Sequence, residues 1–342
     1  MKAAIVGASG YVGAELTALI SEHNVISIEH LLVSQNSEAA GQLICELHPK
    51  LHRVCQLPLV AFTEQWFEQY VSDIDAVFFA TPHEYSAQWA EKFLLAGKKV
   101  FDLSGGFRLN NASDYPKYYG FSHRNTSLLD KAVYGLAEWH EAAIAKASLI
   151  AVPGCYPTAA LTALKPIAAK ALQRNEQLIV VNGISGVSGA GRKASLSTSF
   201  NEVSLTAYNL LQHRHQPEIS QEAGADVVFN PHLAPYKRGL MTTITLQLEC
   251  GVTSKDVEAA YQQAYKDKVI VRLKSTPPKV DDVAHSAFAD VYWQYNQDTQ
   301  ILVVCCAIDN LLKGAASQAI QCANITLGLP SHYGLVAGAM YD

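Results

Sequence analysis

Cys155 is the residue whose type and setting most directly indicate chemistry. It lies in Val152-Pro-Gly-Cys-Tyr-Pro-Thr158, between an apolar stretch over 148–152 and a helix-period segment over 158–166. This pattern predicts a strand-to-helix turn with the thiol near a helix N-terminus. The unpaired N–H groups and the dipole of the helix favour a thiolate there, which lowers the pKa of the thiol and makes it a nucleophile. Free cysteines are usually buried core residues, and we expect this role for the other six cysteines.

A dense polar motif, His213-Arg-His-Gln-Pro-Glu-Ile219, contains groups that transfer protons. Imidazole titrates near neutral pH and can act as acid and base beside a thiolate. His213 and His215 are both candidates for this role, and Glu218 could orient the imidazole. Two histidines at this spacing could also bind a metal, but the sequence places no third ligand to join them. Arg214 is a candidate for binding a substrate anion.

The N-terminal stretch indicates a dinucleotide site. An apolar strand over 2–6 runs into Gly7-Ala-Ser-Gly-Tyr-Val-Gly13, and a helical pattern and a strand over 25–33 follow. Glycines at such a turn let the backbone approach a pyrophosphate at the helix N-terminus, although the spacing here is G-x-x-G-x-x-G rather than G-x-G-x-x-G. The predicted cofactor-binding residues in this loop are Gly7, Ser9, Gly10, Tyr11, Val12 and Gly13.

The end of the second predicted strand distinguishes the two nicotinamide cofactors. NAD-binding enzymes place Asp or Glu there, against the ribose 2′-hydroxyl. This chain has Ser34-Gln-Asn-Ser37, with no carboxylate to repel a 2′-phosphate and with hydroxyl groups to bind one. The predicted cofactor is therefore NADP, with Ser34 and Ser37 among its ligands.

Further βα units predict a Rossmann-type, doubly wound α/β domain. Further strands are predicted at 74–80 and 99–103, with a helix at 86–96 between them. Because such sheets bind ligands at the carboxyl ends of their strands, Thr81, Pro82 and His83 are predicted to contact the cofactor. A plain polar loop residue is the alternative for His83. Arg108 is a candidate for the substrate anion, with a solvated surface arginine as the alternative.

After Cys155 the pattern predicts a second, α+β domain with a mixed sheet. Its strands are predicted at 178–184, 241–248 and 300–308, and its helices at 254–266 and 314–326. The first strand opens into a glycine-rich loop that ends in two cations, an arrangement that favours an anion such as phosphate over a merely flexible loop. The predicted substrate ligands here are Ser185, Arg192 and Lys193, and the predicted cofactor ligands are Ser188, Gly189 and Asn310.

We expect the last helix to return to the dinucleotide domain. The predicted boundaries are 1–153 with 313–342 for the discontinuous NADP-binding domain, and 154–312 for the catalytic and oligomerisation domain.

Composition narrows the function classes. A net charge of −5 without a Lys/Arg block argues against a nucleic-acid or membrane-surface partner. The odd number of cysteines, two of them adjacent at 305–306, does not indicate a disulfide framework, so we expect a reducing, cytoplasmic setting. A zinc site was considered for Cys45-x₂-His48 and His52-x₂-Cys55. A surface or interface segment is the preferred interpretation, and no metal is predicted.

Several motifs occur together in one order along the chain: G-x-x-G-Y-x-G, L-H-P, D-L-S-G-x-F-R, Y-G-L-A-E, P-G-C-Y-P-T, S-G-V-S-G-A-G-R-K, H-R-H-Q-P-E-I and D-N-L-x-K-G-A-A. On these motifs the chain resembles the N-acetyl-γ-glutamyl-phosphate reductases of arginine biosynthesis over almost its whole length. Gly106 departs from the alanine that many members carry. The resemblance implies NADPH, an acyl-phosphate substrate, kinship with aspartate-semialdehyde dehydrogenase, and a homodimer or homotetramer.

The reaction implied by the resemblance is the reductive dephosphorylation of N-acetyl-L-glutamyl 5-phosphate to the 5-semialdehyde. Cys155 would form a thioester, which accepts hydride far better than a carboxylate does, and the resemblance gives the proton transfer to His215. The alternatives are an aspartate-semialdehyde dehydrogenase acting on another acyl phosphate and a catalytically inactive NADP-binding regulator. The presence of Cys155 argues against the regulator.

Overall fold

The computed structural model describes residues 1–174 and 177–336, and these divide into two compact units. The first unit comprises Met1–Pro153 with the described residues from Ala315 onward, and the second comprises Gly154–Gly314. The first is a Rossmann-like unit with a parallel sheet and the second contains a mixed sheet, as predicted.

The first unit is built on a seven-stranded sheet in which every strand pair is parallel. Its strands are β1 (Lys2–Val6), β2 (Ser27–Val33), β3 (Leu59–Ala61), β4 (Ala76–Phe79), β5 (Lys99–Asp102), β6 (Val133–Tyr134) and β7 (Leu149–Ala151), and their order across the sheet is β3-β2-β1-β4-β5-β7-β6. The reversal of strand order beside β1 and β4 is the feature of doubly wound folds that creates a ligand crevice.

The second unit contains a mixed seven-stranded sheet. Its strands are β8 (Ile179–Gly186), β9 (Thr206–Ala207), β10 (Val227–Ala234), β11 (Leu240–Gln247), β12 (Val271–Leu273), β13 (Ala289–Asn296) and β14 (Ile301–Ile308), in the order β12-β13-β14-β11-β8-β10-β9. The pairs β8–β10 and β12–β13 are parallel and the other four pairs are antiparallel.

The α-helices complete both units. In chain order they are α1 (Tyr11–Ser21), α2 (Ile44–Leu47), α3 (Glu64–Tyr70), α4 (His83–Leu95), α5 (Asp114–Tyr118), α6 (Thr126–Leu129), α7 (Glu141–Ile144), α8 (Cys155–Ala169), α9 (His215–Ala223), α10 (Ser254–Tyr265) and α11 (Ser317–Thr326). Short 3₁₀ turns lie at Pro49–Leu51, Val71–Asp73, Val187–Ala190, Leu196–Thr198 and Val280–Asp282, and a π-helical turn lies at Leu312–Ala316.

Aromatic packing holds the core of the first unit together. All four residues of β4 are buried, as expected for a parallel strand covered on both faces. Phe78 of β4 stacks on Phe101 of β5 with ring centroids 4.7 Å apart. On α4, Trp89 and Phe93 are four residues apart and share the buried face, where Trp89 meets Phe62 at 4.5 Å. This core fixes the strand ends that carry the predicted cofactor loops.

Helix α8 is buried almost all round, which explains its apolar, alanine-rich sequence. It contains Pro166, which has no N–H to donate to the carbonyl of Thr162 one turn earlier. The hydroxyl of Tyr265 on α10 donates to that carbonyl at 2.6 Å and so replaces the missing bond. Tyr261 adds a second link, from its hydroxyl to the carbonyl of Ala163 at 2.8 Å. The helix that begins at Cys155 is therefore firmly anchored.

Candidate active site

The structure places Cys155 at the first position of α8, three residues earlier than the predicted start of this helix. The turn after β7 is short, and Gly154 occupies the N-cap without any side-chain cap. The carbonyl of Gly154 accepts both the N–H and the hydroxyl of Thr158, each at 2.9 Å. The thiol is half-buried at the N-terminus of a fifteen-residue helix, the setting that favours a thiolate.

Glu218 contacts the cysteine turn directly. It is fully buried in the first turn of α9, and its Oε1 accepts the N–H of Gly154 at 3.0 Å. A carboxylate in this position fixes the residue that precedes the nucleophile. Sequence reasoning had assigned Glu218 to orienting a histidine; the bond to Gly154 gives it a second task, which the sequence did not indicate.

The two histidines of the polar motif lie together at the start of α9. His215 is the first residue of the helix, and both rings are buried, with centroids 4.8 Å apart. The N–H of His215 donates to Nδ1 of His213 at 3.1 Å. Burial disfavours an imidazolium here, and the charge of Arg214 adds to this effect, so the pKa of His213 is lowered to about 4. His213 is therefore neutral at physiological pH.

Tyr156 joins the cysteine to the histidines, and the sequence analysis had not selected it. Its ring lies 6.0 Å from the rings of both His213 and His215, and its hydroxyl donates to the carbonyl of His232 at 2.9 Å. Burial raises the pKa of Tyr156, so its hydroxyl stays protonated. Tyr208, whose ring lies 5.5 Å from that of His213, was also missed. The signal that could have identified Tyr156 is its position next to Cys155 in the sequence.

Four of the predicted ligands in the second unit form one cluster. Asn310 donates from Nδ2 to the hydroxyl of Ser188 at 2.9 Å and accepts the N–H of Gly239 at 2.7 Å. A Cβ built on Gly189 would lie 3.1 Å from Oγ of Ser185 and 3.7 Å from Nδ2 of Asn310. Ser185, Ser188, Gly189 and Asn310 thus share one polar corner at the ends of β8 and β14.

The predicted cations of the second unit are all exposed. Arg192 and Lys193 lie just after the 3₁₀ turn Val187–Ala190, and Arg214 is the residue before α9. Exposed cations can meet an anionic substrate without first breaking internal ion pairs.

Arg108 in the first unit has a different environment from the one considered in the sequence analysis. The alternative of a solvated surface arginine is wrong, because the side chain is only 5% exposed. Its Nε donates to the carbonyl of Val152 and its Nη2 to that of Leu103, each at 2.8 Å. Because these carbonyls follow β7 and β5, the guanidinium ties two strand ends together.

The glycine loop of the first unit fits a pyrophosphate. Gly7 has a φ of +92°, and a Cβ there would lie 2.2 Å from the carbonyl oxygen of Ala80. At Gly13 a Cβ would lie 2.4 Å from the carbonyl oxygen of Gly7. Both positions therefore require glycine. Helix α1 begins at Tyr11 without a side-chain cap at Gly10, which leaves its N-terminus suited to an anion. Ser9, Tyr11 and Val12 complete the loop and the first turn.

The remaining predicted cofactor ligands lie at neighbouring strand ends. Ser34 is exposed directly after β2. The N–H of Ser37 donates to the carbonyl of Ser34 at 2.9 Å and so closes a turn. Thr81 and Pro82 follow β4, and His83 begins α4. Nδ1 of His83 accepts the N–H of Gly105 at 2.6 Å, so His83 also holds the loop after β5.

The Cys45 to Cys55 segment shows no arrangement of metal ligands. Both cysteines are buried, whereas His52 is exposed. Within residues 1–174 and 177–336, no group of three or more His, Cys, Asp or Glu side chains is placed to hold a metal ion. Over the same residues, no helix has both the length and the hydrophobicity needed to cross a bilayer.

Comparison with known proteins first gives the class. A family model for the NAD binding domain of semialdehyde dehydrogenases matches residues 2–147, and a model for the dimerisation domain of the same class matches residues 155–310. Aspartate semialdehyde dehydrogenase II from Vibrio cholerae, complexed with ASA, has a TM-score of 0.70 and 20% identity, covering 96% of this chain and 98% of that one. The Candida albicans enzyme, solved with NADP, has a TM-score of 0.68 and 15% identity over 95% and 97% of the two chains.

Curated relatives then give the family within this class. A protein from Alteromonas mediterranea is 50% identical over 97% of this chain and 98% of its own length. Relatives from Aeromonas salmonicida and Vibrio parahaemolyticus are each 49% identical, over 97% and 96% of this chain and 98% of their own lengths. All three are named N-acetyl-gamma-glutamyl-phosphate reductase. The chain belongs to this family of NAD(P)-dependent oxidoreductases, which confirms the predicted family and the predicted class of cofactor.

Proposed function

We propose that the protein reduces N-acetyl-L-glutamyl 5-phosphate to N-acetyl-L-glutamate 5-semialdehyde and phosphate, with Cys155 as the nucleophile and NADPH as the reductant. The observation that carries this proposal is the position of Cys155 at the N-terminus of α8, next to Tyr156, whose ring lies 6.0 Å from both histidine rings. The names of the curated relatives support the substrate.

In the first step the thiolate of Cys155 attacks the acyl carbon. A C–S bond forms, the bond from that carbon to the phosphate oxygen breaks, and phosphate leaves with the electron pair and takes its proton from solvent. The first N–H groups of α8 stabilise the negative charge that develops on the carbonyl oxygen. Arg192, Lys193 and Arg214, with the hydroxyl of Ser185, are the candidate ligands for the anionic groups of the substrate, and Arg108 supports the neighbouring strand ends.

Reduction of the thioester follows. NADPH, when bound, would supply the hydride that the thioester carbon accepts. His215 donates a proton to the oxygen as negative charge develops on it, and takes this proton back when the C–S bond breaks. The aldehyde then forms, and the thiolate of Cys155 leaves with the electron pair.

His215 suits this role better than His213 does. Nδ1 of His213 already accepts the N–H of His215, and its lowered pKa, about 4, keeps the ring neutral. We therefore assign His213 to positioning His215, and Glu218 to holding the turn at Gly154.

NADPH is proposed over NADH on the sequence and structure around β2. Ser34 is exposed at the end of this strand and Ser37 lies in the turn that follows, which supports their hydroxyl groups as ligands of a 2′-phosphate. The other proposed cofactor ligands are the glycine loop over 7–13 and Thr81, Pro82 and His83 in the first unit, and Ser188, Gly189 and Asn310 in the second.

A homodimer is proposed from the sheet of the second unit. Alternate residues of its central strands are buried, whereas the others stay partly accessible and form what we call the open face: Val180, Asn182 and Ile184 on β8, Met241, Thr243 and Thr245 on β11, and Val303 and Cys305 on β14. None of these side chains is charged, and depletion of charge is typical of interface cores. The match to a dimerisation domain supports this, and the seven free cysteines fit the cytoplasm.

The test is an assay with two aldehydes. Purified protein should reduce NADP in the presence of N-acetylglutamate semialdehyde and phosphate, and should ignore aspartate semialdehyde. Cys155→Ser should lose turnover while NADPH still binds, as followed by the fluorescence of the cofactor. A preference for aspartate semialdehyde would overturn the proposed substrate, and substantial turnover by Cys155→Ser would overturn the proposed nucleophile.

A further inference from the structure

A concentration of exposed apolar side chains marks one stretch of the second unit, residues 196–211, which we call the apolar segment. Leu196 is 74% exposed, Phe200 94%, Leu205 58%, Leu210 50% and Leu211 63%. Each of these side chains leaves apolar area in water that burial would remove, and burial of such area is favourable. Scattered single exposures are normal, but a cluster in a short stretch indicates an interaction site.

The start of the apolar segment is held in a defined shape. The hydroxyls of Ser195 and Thr198 bond to each other at 2.9 Å, and that of Ser199 donates to the carbonyl of Leu196 at 2.9 Å. The N–H of Val203 closes a further turn onto the carbonyl of Ser199 at 2.9 Å. Local polar groups are thus satisfied while Leu196 and Phe200 remain exposed.

The end of the apolar segment is strained. Asn209 has a φ of +46° and Leu211 a φ of +59°. Asparagine tolerates the left-handed region, but leucine seldom adopts it, because its side chain is strained there. A strained, exposed leucine persists only where something compensates for it, and the isolated chain offers Leu211 little contact.

The apolar segment also leads directly to the catalytic motif. Its strand β9 lies at the edge of the sheet, pairs with β10 and is exposed at both residues. The N–H of Tyr208 then donates to the carbonyl of Pro231 at 3.1 Å, and the ring of Tyr208 contacts that of His213. Whatever covers Leu210 and Leu211 therefore acts on residues that adjoin His213.

We propose that the apolar segment packs against a second copy of this chain, and that this packing holds Tyr208, and through it His213, in position against His215. The inference rests on the proposed function and extends it by naming the surface that links assembly to catalysis. The segment lies within residues 155–310, which match a dimerisation domain. Stable interfaces bury about 800 Å² per partner, so the open face is expected to supply area beyond that of five side chains.

The composition of the apolar segment suits a protein partner. Glu202 is the single charged residue in 196–211. Apolar contact with few charges is typical of the core of a protein interface. Exposed cations, Arg192, Lys193 and Arg214, flank the segment, so the experiment below also measures binding to a lipid surface.

The experiment compares a double variant, Leu196→Ser with Phe200→Ser, with wild type in sedimentation velocity runs over a series of concentrations. The dimer dissociation constant should rise at least about tenfold, and turnover should fall in step with dissociation. Both side chains are exposed in the single chain, so circular dichroism of the dilute monomers should be unchanged. Leu178→Ser is the matched control: this leucine is 55% exposed in the same unit, outside the apolar segment, and its loss should alter neither quantity.

Three outcomes would contradict the inference. Unchanged association of the double variant would overturn the docking role. Weakened association with full turnover at concentrations where the chains are separate would overturn the link to His213. Wild-type binding to vesicles of phosphatidylcholine and phosphatidylserine that the double variant loses, with association unchanged, would replace the protein partner by a membrane. Sedimentation needs no substrate, so a failure of the proposed reductase activity would leave the result on the interface standing.

Discussion

Gly314 lies directly against Cys155: a Cβ built on Gly314 would fall 2.7 Å from the Cβ of Cys155 and 3.1 Å from its Cα. Gly314 belongs to the π-helical turn Leu312–Ala316, and its N–H donates to the carbonyl of Asp309 at 2.9 Å. The Asp309 carboxylate holds this turn by accepting two backbone N–H groups, at Leu311 and Leu312, and it pairs with Arg238. The nucleophile therefore rests on a surface that only glycine can form.

Gly314→Ala should impair catalysis through this contact. Real Cβ atoms do not approach so closely, so the turn or Cys155 must move, and small displacements of reacting groups cost up to about 100-fold in rate. We expect kcat to fall about 10- to 100-fold, while NADPH affinity, measured by fluorescence titration, changes little. Ala315→Ser, the control at the next position, should keep nearly full activity. Wild-type kcat in Gly314→Ala would show that the contact is not needed.

Alkylation should report the special state of Cys155. Cys250 is exposed whereas Cys155 is only half-buried, so access alone favours Cys250. Because the thiolate reacts and the thiol does not, we expect iodoacetamide at pH 6 to modify Cys155 first, as read by peptide mass spectrometry. Added phosphate should slow the reaction at Cys155 and leave that at Cys250 unchanged. Faster labelling of Cys250 at this pH would argue against an activated thiolate.

Ser34→Asp should shift the cofactor preference. A carboxylate at this exposed position would repel a 2′-phosphate and accept a hydrogen bond from a 2′-hydroxyl. We expect kcat/KM for NADPH to fall at least about tenfold and the ratio of NADPH to NADH activity to fall further. Ser34→Ala separates loss of the hydroxyl from added charge and should show a smaller effect. Equal use of both cofactors by the wild type would remove the basis of this prediction.

The sequence predicted much of the fold because its long elements have strong periodicity. The structure has β1, α1, β11 and β14 within about three residues of the predicted positions, since buried runs and glycine turns mark their limits. The short strands β3, β6 and β9, of two or three residues, were not predicted, because tertiary pairing rather than local pattern creates them. The long strands β10 and β13 were missed as well; β10 contains Pro231, which is unfavourable in a strand by local rules.

The site was predictable where one residue type carries the chemistry. Motif and spacing alone indicate Cys155 and the glycine loop, whereas the choice of His215 over His213 comes from the family resemblance. The packing around them does not: the contacts of Gly314 with Cys155 and of Glu218 with Gly154 join residues far apart in sequence. The burial of Arg108 likewise depends on two strand ends that meet only in the folded sheet.

His215→Asn should separate the roles of the two histidines. If His215 transfers the proton, its loss should lower the rate by roughly 10² to 10⁴. The aldehyde-oxidising direction should suffer more, because it requires removal of a thiohemiacetal proton, whereas phosphate leaves with little help. His213→Asn should lose less, because the asparagine oxygen can still accept the N–H of His215. A larger loss in His213→Asn than in His215→Asn, measured in both directions, would exchange the two assignments.

His213 should also make the protein sensitive to acid. Its pKa is lowered from 6.5 to about 4 on folding, so the unfolded chain binds a proton first. The resulting stability is fully present above about pH 6.5 and is lost as the pH falls towards 4. Between pH 7 and pH 5, wild type should therefore lose about 2 kcal/mol of unfolding free energy that His213→Asn keeps, as measured by urea denaturation at both pH values. His52→Asn, at an exposed position, is the control and should behave like wild type. Identical pH dependence in wild type and His213→Asn would mean that the ring is protonated as readily in the folded protein as in the unfolded chain.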